Sequence, residues 1–213
     1  NVQRGGPSTG LPTKSEQTDL LQALYGRNGE SPMPVIAAKS PADCFDAAFM
    51  ACKIAVEHMT PVVLLTDAFI ANGSAAWKLP ELAEYPAITA PFVTADMMGK
   101  WTPFMRNEET GSRYWAIPGT EGFAHRIGGL EKSNETGAIS TEPENHHKMT
   151  ILRQEKVEKI PVPDVEVEGA EDAELLVVGF GGTYGHLRSA VDEMNKAGKK
   201  VALAHFTYIN PLP

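Results

Sequence analysis

Arg4-Gly5-Gly6-Pro7-Ser8-Thr9-Gly10-Leu11-Pro12-Thr13 is the stretch around which the chain is organised. Three glycines and two prolines within ten residues exclude a helix interior or a central strand. The segment is therefore a loop of imposed shape. Its prolines fix φ, its glycines let the backbone approach a neighbour, and Ser8, Thr9 and Thr13 offer hydroxyls. Arg4 adds a planar fork of N–H donors suited to a carboxylate or a phosphate. Downstream, Leu20, Leu21 and Leu24 recur at helical spacing within Lys14 to Leu24, and Gly26 follows as an expected C′ residue. A loop feeding a helix presents backbone N–H groups to whatever it holds. Two readings stand side by side: a surface turn with Arg4 in an ordinary ion pair, and an anion site. A phosphate-binding P-loop is excluded, because Leu11 stands where that motif needs lysine after its second glycine.

The remainder reads as alternating strands and helices. Val35 to Lys39 is a short apolar strand, and Ser40-Pro41 has the form of a helix start. Phe45, Phe49, Cys52, Val56 and Met59 fall on one helical face, which predicts a core-facing stripe. Pro61 interrupts. Val62 to Leu65 is a continuous apolar run, as in a strand buried on both faces. This order predicts an α/β fold, a parallel sheet with flanking helices and right-handed crossovers. Asp67 ends the second strand, where such folds place ligands, but its expected role is to cap the helix after it. The 77–137 stretch shows no sustained period and carries most of the aromatics. Irregular backbone pinned by those side chains against a partner surface is expected there, with Arg106 and Arg113 either on an anionic ligand or, as the favoured reading, in surface ion pairs. His146 to Ile160 reads as a helix. The 161–172 stretch alternates Pro, Val and acidic residues and is expected to be a stiff linker between a first domain, 1–160, and a second, 173–213. In the second, Leu175 to Val178 predicts a buried strand, the turn Gly179-Phe180-Gly181-Gly182-Thr183-Tyr184-Gly185 opens a helix, and Lys200 to Phe206 returns as a strand. A dinucleotide site is not assigned to that glycine turn. No acid ends the returning strand, and close helix–strand packing accounts for the glycines.

Composition narrows the function classes. The 213 residues are 42% hydrophobic and 22% charged, with a formal net charge of −8. The absence of any basic run argues against nucleic acid and anionic membrane as partners. No apolar run approaches the ~20 residues of a membrane span, and no secretory leader is recognisable, so a cytoplasmic location is expected. The chain opens at Asn1 almost directly on the loop, which leads us to expect part of a longer protein. Cys44 and Cys52 lie eight positions apart, ~12 Å along a helix and too far for a disulfide. Cys52 is expected to be buried. Two thiols cannot hold an iron–sulfur cluster, and the six histidines form no ligand pattern, so no metal site is expected.

Beyond these inferences, the segment Gln3 to Lys14 with Glu16-Gln17 and Asp19-Leu20 resembles the hallmark of the alpha subunit of 2-oxoacid:ferredoxin oxidoreductases, most closely the 2-oxoglutarate type. The resemblance continues through Ile117-Pro118-Gly119-Thr120-Glu121-Gly122, Glu144-Asn145-His146 with Met149, Gly179 to Gly185, and Tyr208 to Pro213. It implies the thiamine diphosphate-binding fold, here part of the pyrimidine-type domain, followed by the start of a domain resembling the transketolase C-terminal domain. It implies oxidative decarboxylation of 2-oxoglutarate with coenzyme A to succinyl-CoA and carbon dioxide, with ferredoxin reduced. Thiamine diphosphate would lie at the interface with a beta subunit, which would carry the magnesium and an iron–sulfur cluster. Arg4 matches the family arginine that grips the substrate carboxylate, and Thr13 matches a threonine of the same pocket. Ser8 and Thr9 would face the substrate, while Gly5 and Gly6 would shape the cofactor side. The cofactor-activating glutamate and the Tyr-Pro-Ile-Thr-Pro segment of the family have no counterpart in this chain, so no catalytic residue is assigned and the isolated chain is expected to be inactive. A related pyruvate or branched-chain oxidoreductase subunit, another thiamine enzyme, and a non-catalytic interaction module are the alternatives.

Overall fold

The computed structural model describes residues 1–6, 10–12, 14, 16 and 18–213. Its elements are β1 (Val2–Gln3), α1 (Leu20–Tyr25), β2 (Val35–Ala37), α2 (Cys44–Glu57), β3 (Val63–Asp67), α3 (Ala68–Asn72), α4 (Pro143–Glu158), β4 (Val167–Gly169), β5 (Leu175–Phe180), α5 (Tyr184–Lys196), β6 (Val201–Phe206) and β7 (Tyr208–Asn210). They build two sheets, ordered β1-β3-β2-β7 and β4-β6-β5. In the first, β1 and β2 flank β3 in parallel and β7 runs antiparallel to β2. The expected α/β architecture is thus present, with its parallel core.

Strand β2 shows why this sheet is two-sided. Val35, Ile36 and Ala37 are all fully buried. Side chains alternate across a strand, so Ile36 joins the cluster with Ala47, Ala51, Ile54 and Tyr208, while Val35 and Ala37 join Ala23 and Leu65 on the opposite face. Helix α2 covers one face and α1 the other.

Several expectations need correction. Helix α1 begins at Leu20 rather than near Lys14. The Lys14 carbonyl accepts from the Gly5 N–H at 2.8 Å, so it serves the loop rather than a helical turn. Gly26 is the C-cap, but at φ −82° rather than in the left-handed region. Helix α2 starts at Cys44, after a turn in which Ser40 Oγ accepts from the Asp43 N–H at 3.2 Å. Its core stripe is Ala47, Ala51 and Ile54. Phe45 and Phe49 point instead toward the aromatic segment, where Phe45 meets Trp77 and Tyr85, and Phe49 lies 4.7 Å from Tyr85. Cys52 is exposed for the same reason. Alanines let the helix approach the sheet closely, and the large rings carry a second layer outward.

Helix α4 forms as expected, with Pro143 at its first turn and Met149 and Val157 buried. In the second sheet β5 and β6 are parallel with α5 between them, the expected β-α-β unit. Strand β5 is nevertheless not a buried strand. It lies at the sheet edge, and Leu175, Leu176 and Val178 are half or more exposed. Val177 packs inward with Val191, Val201, Leu203 and Leu187, and Phe180 at the strand's end packs against Ala23, Val35, Ala37 and Leu65. Strand β4 falls inside the stretch read as a linker, and β7 returns to the first sheet, so the two sheets are stitched together by the chain.

Candidate functional site

Strand β1 sets the position of Arg4. Val2 pairs with Thr66 and Gln3 with Asp67, so Arg4 emerges at the carboxyl end of the parallel strands, where open α/β sheets hold their ligands. The loop is held by its own backbone. Gly5 N–H donates to the Lys14 carbonyl and Leu11 N–H to the Gly5 carbonyl, both at 2.8 Å. Thr18 Oγ1 donates to the Arg4 carbonyl at 2.9 Å. Gly10 closes the turn at φ +63°, and a Cβ there would sit 1.5 Å from the Gly5 oxygen, so only glycine permits this crossing.

Arg4 lines an open pocket of about 630 Å³ together with Asn1, Val2, Gly6, Glu16, Thr18 and Asp19. Among the described residues its guanidinium makes no ion pair or side-chain hydrogen bond. It is exposed and lies on a concave surface. Glu16 and Asp19 share the wall. Asp19 Oδ2 accepts from Asn1 Nδ2 at 2.7 Å, which fixes the pocket's floor. Gly5 is buried and Gly6 exposed, and a Cβ on Gly6 would meet only Thr18 Cγ2, at 3.9 Å. Ser8, Thr9 and Thr13 lie outside the described residues. Gln3 was not singled out by sequence, yet it is buried beside Arg4 and its Oε1 has no hydrogen-bond partner among the described residues. No pattern in the sequence marks it; only β1 pairing turns it inward.

Asp67 does what was expected and one thing more. Its Oδ1 accepts the Ile70 N–H at 2.9 Å, capping α3, and its Oδ2 accepts the Gly182 N–H at 3.1 Å. A Cβ on Gly182 would lie 2.2 Å from that oxygen, and one on Gly179 would lie 2.2 Å from Leu187 Cδ1. The glycine turn is therefore a packing device that docks the second sheet onto the first. His205 stands near it, with its basicity lowered by burial and by the Lys39 ammonium.

The donor set fits a carboxylate at Arg4. It does not fit a metal–diphosphate: no group of three or more His, Cys, Asp or Glu among the described residues could hold an ion. Among the same residues, no helix is long and apolar enough to cross a membrane.

Comparison with known proteins bears on this geometry. A family model described as "Pyruvate flavodoxin/ferredoxin oxidoreductase, thiamine diP-bdg" matches residues 1–145. The chain is 54% identical over 214 residues to the 2-oxoglutarate oxidoreductase subunit KorA of Mycobacterium tuberculosis, covering 100% of the chain and 32% of that relative. It is 26% identical to the 2-oxoglutarate synthase subunit KorA of Methanothermobacter thermautotrophicus, covering 100% of the chain and 56% of the relative. Among solved structures, 2-oxoglutarate:ferredoxin oxidoreductase from Magnetococcus marinus, with 2-oxoglutarate, coenzyme A and succinyl-CoA bound, superposes with a TM-score of 0.86 at 31% identity. That match covers 100% of the chain and 37% of the solved one. The chain thus spans about a third of the length of the first of these relatives and of the solved structure.

Proposed function

Because the chain belongs to the pyruvate flavodoxin/ferredoxin oxidoreductase family of thiamine diphosphate-binding domains, we propose that it forms part of the alpha subunit of a 2-oxoglutarate:ferredoxin oxidoreductase. The names of its relatives and the ligands of the solved neighbour support this reading. The observation that carries it is Arg4, without an ion-pair partner among the described residues, on the pocket wall at the carboxyl end of β1.

Arg4 holds the substrate carboxylate through two parallel N–H···O bonds. That grip orients the 2-keto carbon, replacing a diffusive encounter by a fixed approach. The guanidinium stays charged throughout and holds the substrate in place for attack at its keto carbon. Gly5 and Gly6 form the side on which the cofactor ring approaches, exposed Gly6 presenting no side chain toward it. Ser8, Thr9 and Thr13 supply hydroxyls from the same loop. Thiamine diphosphate, when bound, supplies the carbon nucleophile and the electron sink for decarboxylation. Its diphosphate, the magnesium and an iron–sulfur cluster belong to a beta subunit, with ferredoxin as electron acceptor and coenzyme A as acyl acceptor. Residues 1–160 act as the pyrimidine-side domain and 173–213 as the start of a transketolase C-terminal-like domain, docked through Asp67 and Gly182. We place the protein in the cytoplasm, in keeping with two free cysteines.

The test is reconstitution of the full-length subunit with its beta partner. Turnover of 2-oxoglutarate with coenzyme A and a low-potential electron acceptor is expected, at a kcat/KM well above that for pyruvate. A complex that turns over pyruvate preferentially would reassign the substrate. One with no 2-oxoacid-dependent reduction would leave a non-catalytic module.

A further inference from the structure

The opposite end of the first sheet carries a second cavity. Met59, at the end of α2, leads into the amino end of β3, away from Arg4. A cavity of about 720 Å³ opens there between the 103–132 segment and α4. Six cationic side chains line it, Arg106, Arg113, Arg126, Lys132, Arg153 and Lys156, against the single carboxylate of Glu131. Glu131 is already engaged, with His146 Nδ1 at 2.9 Å and Arg153 Nη1 at 3.6 Å.

Four of the other cations rest on neutral groups. Arg106 Nη1 donates to the Phe104 carbonyl at 3.1 Å and to Asn134 Oδ1, and its Nη2 lies 3.6 Å from Met149 Sδ. Arg113 lies 4.6 Å from the centre of the Phe104 ring and meets only the Pro103 carbonyl, at 3.4 Å. Lys156 Nζ donates to the Met59 carbonyl at 3.0 Å. Lys132 Nζ is capped by the Gly128 carbonyl at 2.7 Å and by that of Leu130. Arg106, Arg113 and Lys156 therefore have no carboxylate partner among the described residues, and each is partly buried. Among the described residues, the surface ion pairs favoured for Arg106 and Arg113 do not form. Burial, and then the neighbouring arginines, lower the Lys156 basicity to about 8. The protein as a whole is acidic, at −8.

Like charges gathered in a half-buried concavity oppose folding, and among the described residues Glu131, already engaged, is the one carboxylate on this cavity's wall. A bound polyanion would. Several guanidinium forks with unused donors match phosphate oxygens, and the cavity size suits a small molecule. We propose that this cavity is a second binding site, for a phosphate-bearing small molecule, held by Arg113, Arg106 and Lys156 and separate from the Arg4 pocket.

The experiment is isothermal titration of the full-length subunit in its complex, at low ionic strength, with inorganic pyrophosphate, ADP and coenzyme A in separate arms. Saturable pyrophosphate binding is expected. Its Kd should rise at least about tenfold in both Arg113→Ala and Lys156→Met, and stay unchanged in Arg4→Ala, which makes this inference separable from the function proposed above. Tighter binding of ADP or of coenzyme A than of pyrophosphate identifies the nucleotide or the acyl carrier as the source of the phosphates. Should Arg113→Ala fail to fold, Arg113→Lys keeps the charge and loses the fork, and an intermediate Kd is expected. No saturable pyrophosphate binding overturns the proposal, the cations then being matched by acidic groups elsewhere in the longer protein. Equal Kd in wild type and both variants overturns it as well.

Discussion

Replacing Lys156 by methionine is expected to stabilise the protein at neutral pH and to weaken it above pH 10. Burial is the first cause of the lowered Lys156 basicity, followed by the charges of Arg113, Arg106 and Arg153. Below about pH 8 the folded and unfolded chains both carry the ammonium charge, so the full penalty falls on the folded state. Between about 8 and the ordinary 10.5 the folded side chain is neutral while the unfolded one still binds a proton, and stability climbs. Above 10.5 the penalty is gone. The fall from 10.5 to about 8 corresponds to about 3 kcal/mol at roughly 1.4 kcal/mol per tenfold change in affinity for the proton. Methionine has nearly the same length and carries no charge, but it loses the bond to the Met59 carbonyl, about 1 kcal/mol. The variant should gain about 2 kcal/mol at pH 7 and lose about 1 kcal/mol at pH 10.5. Urea unfolding of both proteins at the two pH values, followed by tryptophan fluorescence, reads this difference. A variant less stable at pH 7, with a deficit that does not change with pH, would refute the charge argument.

Gly10→Ala forces the loop apart, because the new Cβ would fall 1.5 Å from the Gly5 oxygen and the residue sits at φ +63°. The backbone strain alone is about 1–2 kcal/mol, and KM for the 2-oxoacid should rise while the unfolding midpoint, set by the sheet core, barely moves. Asp67→Ala removes a helix cap and the bond to Gly182, for a combined loss of about 2 kcal/mol in urea unfolding. Maleimide at neutral pH should modify exposed Cys52 first and Cys44 slowly, since burial, then Asp43 and Asp67, push the Cys44 thiol up and deplete its thiolate; peptide mapping after a short exposure distinguishes the two.

The parallel sheet was legible because β2 and β3 are short, apolar and punctuated by Pro and Ser, which leaves a buried strand as the simplest reading. The face of α2 was not. That helix is apolar nearly all round, and hydrophobic spacing alone cannot say whether rings or alanines meet the sheet. Close helix–sheet approach selected Ala47 and Ala51, and the rings met Trp77 and Tyr85 instead. The exposure of β5 depends on its edge position, a fact of strand order that no local pattern carries. Arg4 stood out within its Gly/Pro loop, and the fold places it on a pocket wall. The cationic cavity could not, because Arg106, Arg113, Arg126, Arg153 and Lys156 are spread along the chain and only the fold gathers them. Gln3 was hidden for the same reason.

The most direct measurement is kcat/KM for 2-oxoglutarate in the reconstituted complex, wild type against Arg4→Ala. Loss of a bidentate carboxylate grip should remove about 2–4 kcal/mol of transition-state stabilisation, roughly a 30- to 1,000-fold fall in kcat/KM. An Arg4→Ala complex as efficient as wild type would contradict a substrate-binding role for this arginine.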